Sequence, residues 1–398
     1  MMLEKIKETV KKYEGKVLDL RRHFHMHPEI SWNEKETTKR VAKELEEMGI
    51  SIIKVGFGGT ECGVLAEIKG GKPGKTVALR ADMDALPLTE EVESPFKSKN
   101  DGVMHACGHD AHTAMLVGAA AVLQEHRQDL KGNVRLIFQP AEEHGRIPGA
   151  QAMIDGGALD GVDAVFGLHI MPNLEVGKIQ YALGPIMAAA DAWHLTVKGK
   201  GGHGSAPETA VDPTIGAAHT IAALQTLVSR EIPPQETAVV SVGGIKSSSH
   251  VFNIIPDRVE ITGSVRTFNP KVQDAVEEGM ARIARNSCEA HRCVADFKYE
   301  RFLPATINND AAAELVKNTA IKALGAENVE KTAPLMGSED FSMFLNKVPG
   351  AFFFLGVGNK KKGITYPYHS PLFDLDEDAL AIGVRLHSGL VMAYLDQE

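Results

Sequence analysis

Four short apolar segments dominate the pattern of hydrophobic and polar positions, and each predicts a buried β-strand. Acidic or histidine side chains follow three of them directly, and the fourth precedes a histidine further along the chain. Ionisable groups so close to strand ends indicate that the strands position a site. The segments are Lys75–Arg80, Asn133–Phe138, Asp163–Gly167 and Ala351–Gly356.

Helical patterns lie between and after these strands. Small apolar residues over 111–126 repeat with the period of a buried helix, and a final helix is predicted over 377–395. Strands that alternate with helices predict an α/β fold with a mixed, mostly parallel sheet. In such sheets, ligands bind beyond the carboxyl ends of the strands. We therefore expect the ionisable residues that follow the strands to share one site.

The middle of the chain has a different pattern. Strand-like segments over 193–198, 238–242, 258–268 and 295–302 surround helices predicted near 212–230 and 270–291. Because candidate chemistry resumes after this stretch, at Gly337 and His369, the stretch is interpreted as an insertion. We predict a catalytic domain of residues 1–187 and 303–398, and an inserted, smaller α+β dimerisation or lid domain of residues 188–302.

Composition narrows the class of protein. The chain has 398 residues, 43% of them hydrophobic, and a formal net charge of −9, which allows large cores and argues against a nucleic-acid partner. No apolar run is long enough to span a bilayer, and the charged N-terminus lacks the apolar core of a signal peptide. Four cysteines in so long a chain do not form a disulfide framework. We expect a cytoplasmic protein that acts away from membranes.

The segment 104–112 concentrates thiol and imidazole groups, which are the ligand types of zinc-like divalent metals. Gly108 lets the backbone turn tightly, so that its neighbours can converge on one point. The alternative is a helix start with a buried thiol and surface histidines. The concentration of ligand types favours a metal site. The cluster consists of His105, Cys107, His109 and His112.

Two acidic pairs support this site. Glu142 and Glu143 follow a strand and a proline, so one carboxylate can bind a metal while the other takes a proton from the attacking water. Asp82 and Asp84 also follow a strand, and either could bind a metal or orient a ligand histidine. Turn chemistry is the alternative for this second pair.

Other candidates leave alternatives open. Cys107 could be a nucleophile, although its histidine neighbours favour metal capture. His169 and His369 both come after predicted strands, where a lone histidine is more often structural, and they gain weight from the cluster. His203 lies on a glycine-rich loop of the inserted domain, either as a turn residue or as a transition-state clamp if a neighbouring domain brings it to the site.

Taken in order along nearly the full chain, these motifs resemble the di-metal aminoacylase and carboxypeptidase superfamily. The resemblance is to its N-acyl-amino-acid amidohydrolase branch, which includes hippurate hydrolases and plant auxin-conjugate hydrolases. Asp82 and Cys107 stand where the wider superfamily has a histidine ligand and a bridging aspartate, as is usual in this branch. The motifs lie at 22–29, 80–87, 105–112, 139–143, 167–169, 201–207, 253–256, 337–341 and 369–371.

The resemblance implies a role for each matching residue of the metal site. Cys107 would bridge two metal ions, with His109 and His169 completing one of them. Glu143 and His369 would complete the other. Glu142 would be the general base, and Asp84 would support a metal ligand.

For the inserted domain, the resemblance implies that His203 reaches the partner subunit's site to stabilise the oxyanion. Asn253 and Arg266 would hold the substrate carboxylate. The expected protein is a homodimer, or a tetramer built from it, with two divalent metal ions per subunit. Zinc is the first choice, and manganese, cobalt and nickel are the alternatives.

The expected reaction is cleavage of the amide bond of an N-acyl amino acid, which releases a carboxylic acid and a free amino acid. One alternative is a metal dipeptidase or aminopeptidase of the same superfamily. Another is a catalytically inactive relative that keeps the fold for binding, against which the presence of Glu142 argues.

Overall fold

Two separate hydrophobic cores divide the computed structural model, which describes residues 2–397, into two units. The larger unit runs from the N-terminus to Ile186 and includes Ile307–Ala333 and the segment from Asp340 to the C-terminus. The smaller unit contains Met187–Thr306 and Pro334–Glu339.

The short segment 334–339 belongs to the smaller unit, whereas the sequence pattern assigned it to the larger domain. Backbone hydrogen bonds account for this placement. The Ala188 amide donates to the carbonyl oxygens of Leu335 at 3.0 Å and Gly337 at 2.8 Å. The segment is thereby tied to the start of the smaller unit, far from it in sequence.

An eight-stranded mixed sheet forms the centre of the larger unit, with the strand order β1-β2-β4-β3-β5-β16-β6-β15. Its central pairs, β3 with β4, β3 with β5 and β5 with β16, are parallel, whereas β1, β2 and β4 pair in antiparallel fashion. The predicted α/β class with a mixed, mostly parallel sheet is confirmed. The strands are β1 Ser51–Val55, β2 Val64–Lys69, β3 Lys72–Asp82, β4 Lys131–Gln139, β5 Ala164–Glu175, β6 Ile179–Tyr181, β15 Val329–Lys331 and β16 Gly350–Gly358.

The helices of the larger unit pack against this sheet and one another, and α3 is buried over almost its whole length. The helix predicted over 111–126 is confirmed, as is the final helix, which begins two residues later than expected. The helices are α1 Met2–Met26, α2 Lys35–Glu47, α3 His109–Glu125, α4 Gly149–Asp155, α7 Asp310–Leu324, α8 Ser342–Leu345 and α9 Ala379–Leu395.

Register along the parallel strands sets the level of the predicted site. Asp82, the last residue of β3, is opposite Gln139, the last residue of β4. The prediction that a strand ends at Gly167 is wrong, because β5 continues through His169 to Glu175, with His169 opposite Phe354 of β16. His169 therefore lies within a strand that extends beyond β3.

The smaller unit is an antiparallel sheet, in the order β10-β12-β8-β13, against which α5 and α6 pack. A separate two-stranded ribbon, β9 with β11, carries His203. The described part of the chain contains no helix long and apolar enough to cross a membrane. The elements are β8 Ala190–Lys198, β9 Gly202–His203, α5 Pro213–Thr226, β10 Ala238–Ser247, β11 Ile254–Ile255, β12 Arg258–Thr267, α6 Pro270–Ala290 and β13 Val294–Leu303. Strands β7 Gly184–Met187 and β14 Thr306–Asn308 pair with each other, and most of their residues belong to the larger unit.

Candidate metal centre

A glycine sets the approach of the first ligands. Gly108 precedes α3 with φ of 85°, a left-handed conformation that favours glycine. A Cβ atom here would lie 2.1 Å from Cδ1 of Ile170, so a larger residue would also collide with β5. The turn at Gly108 places Cys107 on one side and His109, the first residue of α3, on the other.

One group of potential ligand atoms belongs to Cys107, Glu143 and His369, which all lie within 4.8 Å of one another. His369 Nε2 is 3.2 Å from Glu143 Oε1. The backbone of His369 is held by a 2.9 Å hydrogen bond from its amide to the Ala106 carbonyl, with φ of 59°. The last segment of the chain is thus fixed beside the Cys107 turn.

Two further groups overlap with the first. His109, Glu142 and Glu143 form one, and His169 joins His109 in another, each within the same 4.8 Å limit. Cys107 Sγ is 3.5 Å from His169 Nε2. The structure therefore brings together all five residues that the sequence proposed as ligands.

Asp82 and His112 share the His109 and His169 group, but their polar atoms are engaged elsewhere. Arg80 donates to Asp82 Oδ2 at 2.6 Å, and His112 Nδ1 donates to Asp82 Oδ1 at 2.6 Å. The second nitrogen of His112 accepts from the Ile170 amide at 3.0 Å. These contacts favour orientation of the neighbouring ligands over metal binding for both residues.

Asp84 is buried and links several parts of the site. Its two carboxylate oxygens accept from the amides of Glu142 at 3.1 Å and Glu143 at 2.9 Å. His109 Nδ1 lies 2.9 Å from the Asp84 carbonyl oxygen and 3.2 Å from Oδ1. Burial opposes ionisation of Asp84, but the hydrogen bond with His109 prevails and lowers its pKa.

The ring nitrogens of the histidines fit a cation. His109 Nε2 is buried without a hydrogen-bond partner, whereas Nδ1 is held by Asp84. His169 Nδ1 donates to the Ile170 carbonyl at 2.8 Å, which leaves Nε2 directed at Cys107. A second ring nitrogen fixed by an oxygen atom is the usual arrangement of a metal-binding histidine.

The electrostatics of Cys107 also favour a metal. Burial raises the pKa of its thiol well above the ordinary value, and the nearby Glu143 and Glu142 carboxylates raise it further. A thiol in such surroundings is a poor nucleophile by itself, because the thiolate is the reactive form. A bound divalent cation would offset the neighbouring negative charge and stabilise the thiolate.

His105, the remaining residue of the predicted cluster, is buried, and desolvation lowers its pKa to about 4. Neither ring nitrogen has a hydrogen-bond partner, and His105 is in none of the ligand groups found among the described residues. Its neighbour His25 lies in an internal polar cluster with Asp110 and Glu90.

The smaller unit holds the other predicted residues. His203 is exposed, and its Nδ1 accepts from the Ser205 amide at 3.1 Å and lies 2.7 Å from the Ser205 hydroxyl oxygen. The Gly204 amide donates to the Asn253 carbonyl at 2.8 Å, so His203 and Asn253 belong to neighbouring loops. Arg266 lies on β12, where its guanidinium donates to the Val265 carbonyl at 3.5 Å.

Sequence reasoning missed part of the site's support. Ser31 donates to Asp84 at 2.6 Å, and Glu34 accepts from the Ala141 amide at 2.7 Å. Arg80 also donates to Asp340 at 2.8 Å, and both of these side chains are buried. Arg80 and Asp340 fall within the motifs at 80–87 and 337–341, whose polar positions were the available clue, whereas Ser31 and Glu34 lie outside the motif at 22–29.

Comparison with known proteins places this site in a family. Residues 78–393 match the model of peptidase family M20/M25/M40. The chain is 43% identical to thermostable carboxypeptidase 2 of Saccharolobus solfataricus over 99% of both chains. It is 41% identical to N-acetylcysteine deacetylase of Bacillus subtilis, over 97% of this chain and 98% of that one. It is 40% identical to IAA-amino acid hydrolase ILR1-like 4 of Arabidopsis thaliana, over 95% and 86%.

A solved structure agrees with these relatives. The Bacillus subtilis YXEP protein, described as a dinuclear metal binding peptidase from the M20 family, superimposes with a TM-score of 0.86 and 37% identity. The superposition covers 98% of this chain and 99% of that one. The chain therefore belongs to peptidase family M20/M25/M40, and the relatives named as a deacetylase and an amino acid hydrolase support its N-acyl-amino-acid amidohydrolase branch.

Proposed function

We propose that the protein hydrolyses the amide bond of N-acyl amino acids and releases a carboxylic acid and a free amino acid. Cys107 would be shared by two divalent cations, of which His109 and His169 would hold one, and Glu143 and His369 would hold the other. Zinc is the preferred ion because thiolate and imidazole are its usual ligands. Manganese, cobalt and nickel are the alternatives to test.

The observation that carries this proposal is that two adjacent carboxylates have different neighbours. Asp84 fixes the amides of both Glu142 and Glu143. Both share a ligand group with His109, but only Glu143 also shares one with Cys107 and His369. One carboxylate can therefore hold a cation while its neighbour moves a proton.

The residues of this chain divide the reaction between them. When bound, the two cations would polarise the scissile carbonyl and make water more acidic. Glu142 accepts the proton of the attacking water and passes it to the departing amine nitrogen. Asp84 accepts from the Glu142 amide and holds the ring of His109, which fixes the positions of the general base and of a metal ligand.

The smaller unit supplies the remaining contacts in this proposal. His203 Nδ1 accepts hydrogen bonds, so the proton of a neutral ring lies on Nε2, which can donate to a developing oxyanion. Asn253 and Arg266 hold the substrate carboxylate. The enzyme is a homodimer in which His203 acts on the partner subunit's site, and Phe252, next to Asn253 and 99% exposed, is available to an interface.

A second candidate function is carboxypeptidase activity. It is favoured by the similarity to a relative named thermostable carboxypeptidase 2. A peptide with a free carboxyl terminus presents the same amide and carboxylate groups as an N-acyl amino acid. The two candidates therefore differ in what occupies the acyl side of the bond.

The test is a substrate panel with purified protein depleted of metal and reloaded with each of the four ions. N-acetyl, N-benzoyl and indole-acetyl amino acids are compared with N-blocked peptides and with free dipeptides. The proposal expects the highest kcat/KM on an N-acyl amino acid. Preference for N-blocked peptides would establish the carboxypeptidase, and preference for free dipeptides would establish a dipeptidase. No hydrolysis with any ion would refute the proposal.

A further inference from the structure

The turn that follows β4 is held by an unusual run of contacts. Three consecutive amides, those of residues 141–143, donate to buried carboxylates of other elements. The Ala141 amide donates to Glu34 Oε1 at 2.7 Å, and the next two amides donate to Asp84. Because backbone amides normally bond to carbonyls, this run indicates a turn whose direction is set by two acids.

Ala141 itself is in a conformation that needs outside support. Its φ is 53°, a left-handed value that an alanine adopts only at a cost. Such strain persists where surrounding contacts determine the conformation, and it clusters at functional sites. Ala141 directly precedes Glu142, so the backbone conformation of Ala141 determines the direction in which the Glu142 side chain points.

The side chain of Glu34 is not used by its own helix. Glu34 stands at the N-cap position of α2 but makes no capping hydrogen bond there. Glu29 accepts from the amides of Glu36 at 3.1 Å and Thr37 at 2.8 Å in its place. Since capping of α2 is supplied by Glu29, the buried Glu34 carboxyl group is left for the turn.

The surroundings of Glu34 show that burial of this group is unfavourable in itself. The residue is fully buried, and besides the Ala141 amide its carboxyl group interacts with the side chain of Cys62. Burial and the nearby Asp84 carboxylate raise the pKa of Glu34 to about 7. Burial of such an acid lowers the stability of the folded protein unless hydrogen bonds offset the cost, so its retention here suggests a use other than stability.

We propose that Glu34 is a positioning residue for hydrolysis, whose carboxyl group fixes the Ala141 amide and thereby the direction of the Glu142 carboxylate. This inference rests on the proposed role of Glu142 as general base. Glu34 touches neither substrate nor metal ligand in this account. It acts through the backbone of the turn.

The test compares Glu34→Leu, which removes the acceptor, with Glu34→Gln, which keeps an acceptor oxygen. We expect Glu34→Leu to lower kcat by about 10²-fold, the loss typical of a small misplacement of a catalytic group, with little change in KM or metal stoichiometry. Glu34→Gln should restore most of kcat. Hydrogen exchange of the Ala141 amide should quicken in the leucine variant only.

Glu44→Leu is the matched control, because Glu44 is also a buried glutamate of the same region but pairs with Lys16 and Arg40. It should lower stability without lowering kcat. An equal loss of kcat in Glu44→Leu, or a wild-type kcat in Glu34→Leu, would overturn the inference. Failure of Glu34→Gln to restore kcat in a protein that retains its fold and metal would overturn it as well.

A double variant separates this inference from the proposed function. If Glu34 acts through Glu142, adding Glu34→Leu to Glu142→Gln should lower kcat no further. A further loss of the same size as in the single variant would show independent action and refute the positioning role. Full activity of Glu142→Gln alone would instead refute the base assignment, while exchange of the Ala141 amide would still report whether Glu34 holds the turn.

Discussion

The two units of this protein bury ionisable groups to very different extents. In the larger unit, acids, histidines and arginines are buried together at and beside the carboxyl ends of β3 and β4, for example Arg80, Asp82, His109 and Asp340. Within the described part of the smaller unit, the buried charged side chains are Asp191 and Glu339. Its core is otherwise aliphatic around Trp193.

The surfaces of the two units also differ, because exposed apolar residues are more frequent on the smaller unit. The smaller unit exposes several large apolar residues on β10, on β11 and in the loop between them, whereas the larger unit exposes fewer for its size. Buried charge is costly and is kept where chemistry needs it, and exposed apolar surface is kept where association needs it. The comparison therefore agrees with the proposal that one unit carries out the reaction and the other mediates association. The exposed residues are Val239, Ile245, Val251, Phe252 and Ile254.

The largest expected effect is in the larger unit. Glu142→Gln should keep metal content and lose about 10²–10⁴-fold in kcat, the range for removal of a general base. Glu143→Gln should instead lower metal stoichiometry, because Glu143 shares a ligand group with Cys107 and His369. Turnover together with metal analysis of both variants checks this division. Metal loss in Glu142→Gln with full occupancy in Glu143→Gln would reverse the two assignments.

The next effect tests whether the smaller unit takes part in the reaction. His203→Ala should retain metal and lose about 10²–10³-fold in rate, as expected for the loss of one oxyanion donor. His219→Ala, an exposed histidine of α5, is the control and should keep the wild-type rate. A wild-type rate in His203→Ala would leave His203 as a turn residue.

Mixing separates action within a subunit from action across an interface. Subunit exchange between His203→Ala and Glu142→Gln should restore activity, because a mixed dimer assembles one site with both intact groups. Native mass spectrometry would establish that heterodimers form. Heterodimers without recovered activity would contradict the shared site and weaken the assignment of association to the smaller unit.

The sequence predicts regular elements well where burial leaves a continuous apolar run. β4, α3 and β16 lie within three residues of their predicted limits, because such runs are read directly from the chain. β5 was predicted too short, since polar His169 interrupts its apolar pattern although pairing with β16 continues.

The site was predictable only in part. The concentration of ligand types over 104–112 indicated Cys107 and His109, and the acidic pair after a predicted strand indicated Glu143. Ser31 and Glu34 were not predictable, because their partners Asp84 and Ala141 lie 53 and 107 residues away in the chain. No local pattern encodes a contact of that kind, and polar residues of a loop are usually exposed.

A third prediction compares a buried arginine with an exposed one. Arg80→Met should lower the free energy of unfolding of the larger unit by about 3–5 kcal/mol, because it leaves the Asp82 and Asp340 carboxylates buried without their partner. Arg258→Met in the smaller unit breaks exposed pairs and should change it by less than about 1 kcal/mol. Denaturant unfolding followed by circular dichroism measures both. Equal losses of unfolding free energy in the two variants would contradict the view that buried ion pairs matter more to the larger unit than exposed ones do to the smaller unit.

The smallest effect concerns Asp191, the carboxylate buried in the core of the smaller unit. It accepts from the Tyr299 hydroxyl at 2.7 Å and from Gln273 Nε2 at 2.8 Å, and burial raises its pKa. Asp191→Asn retains an acceptor and should cost about 1 kcal/mol, the net value of one hydrogen bond. Asp296→Asn, on the exposed side of the neighbouring strand, is the control.

The dependence on pH makes this last comparison sharper. Because the folded-state pKa of Asp191 is raised, its contribution is fully present below the ordinary carboxyl pKa and is lost as pH rises through the raised value. The stability difference between the wild type and Asp191→Asn should therefore be larger at acidic pH than at neutral pH. Trp193 is buried in this unit, so its fluorescence in a Trp32→Phe background follows the unfolding directly. A difference that grows towards neutral pH would mean that Asp191 is stabilised as the anion, as Asp84 is in the larger unit.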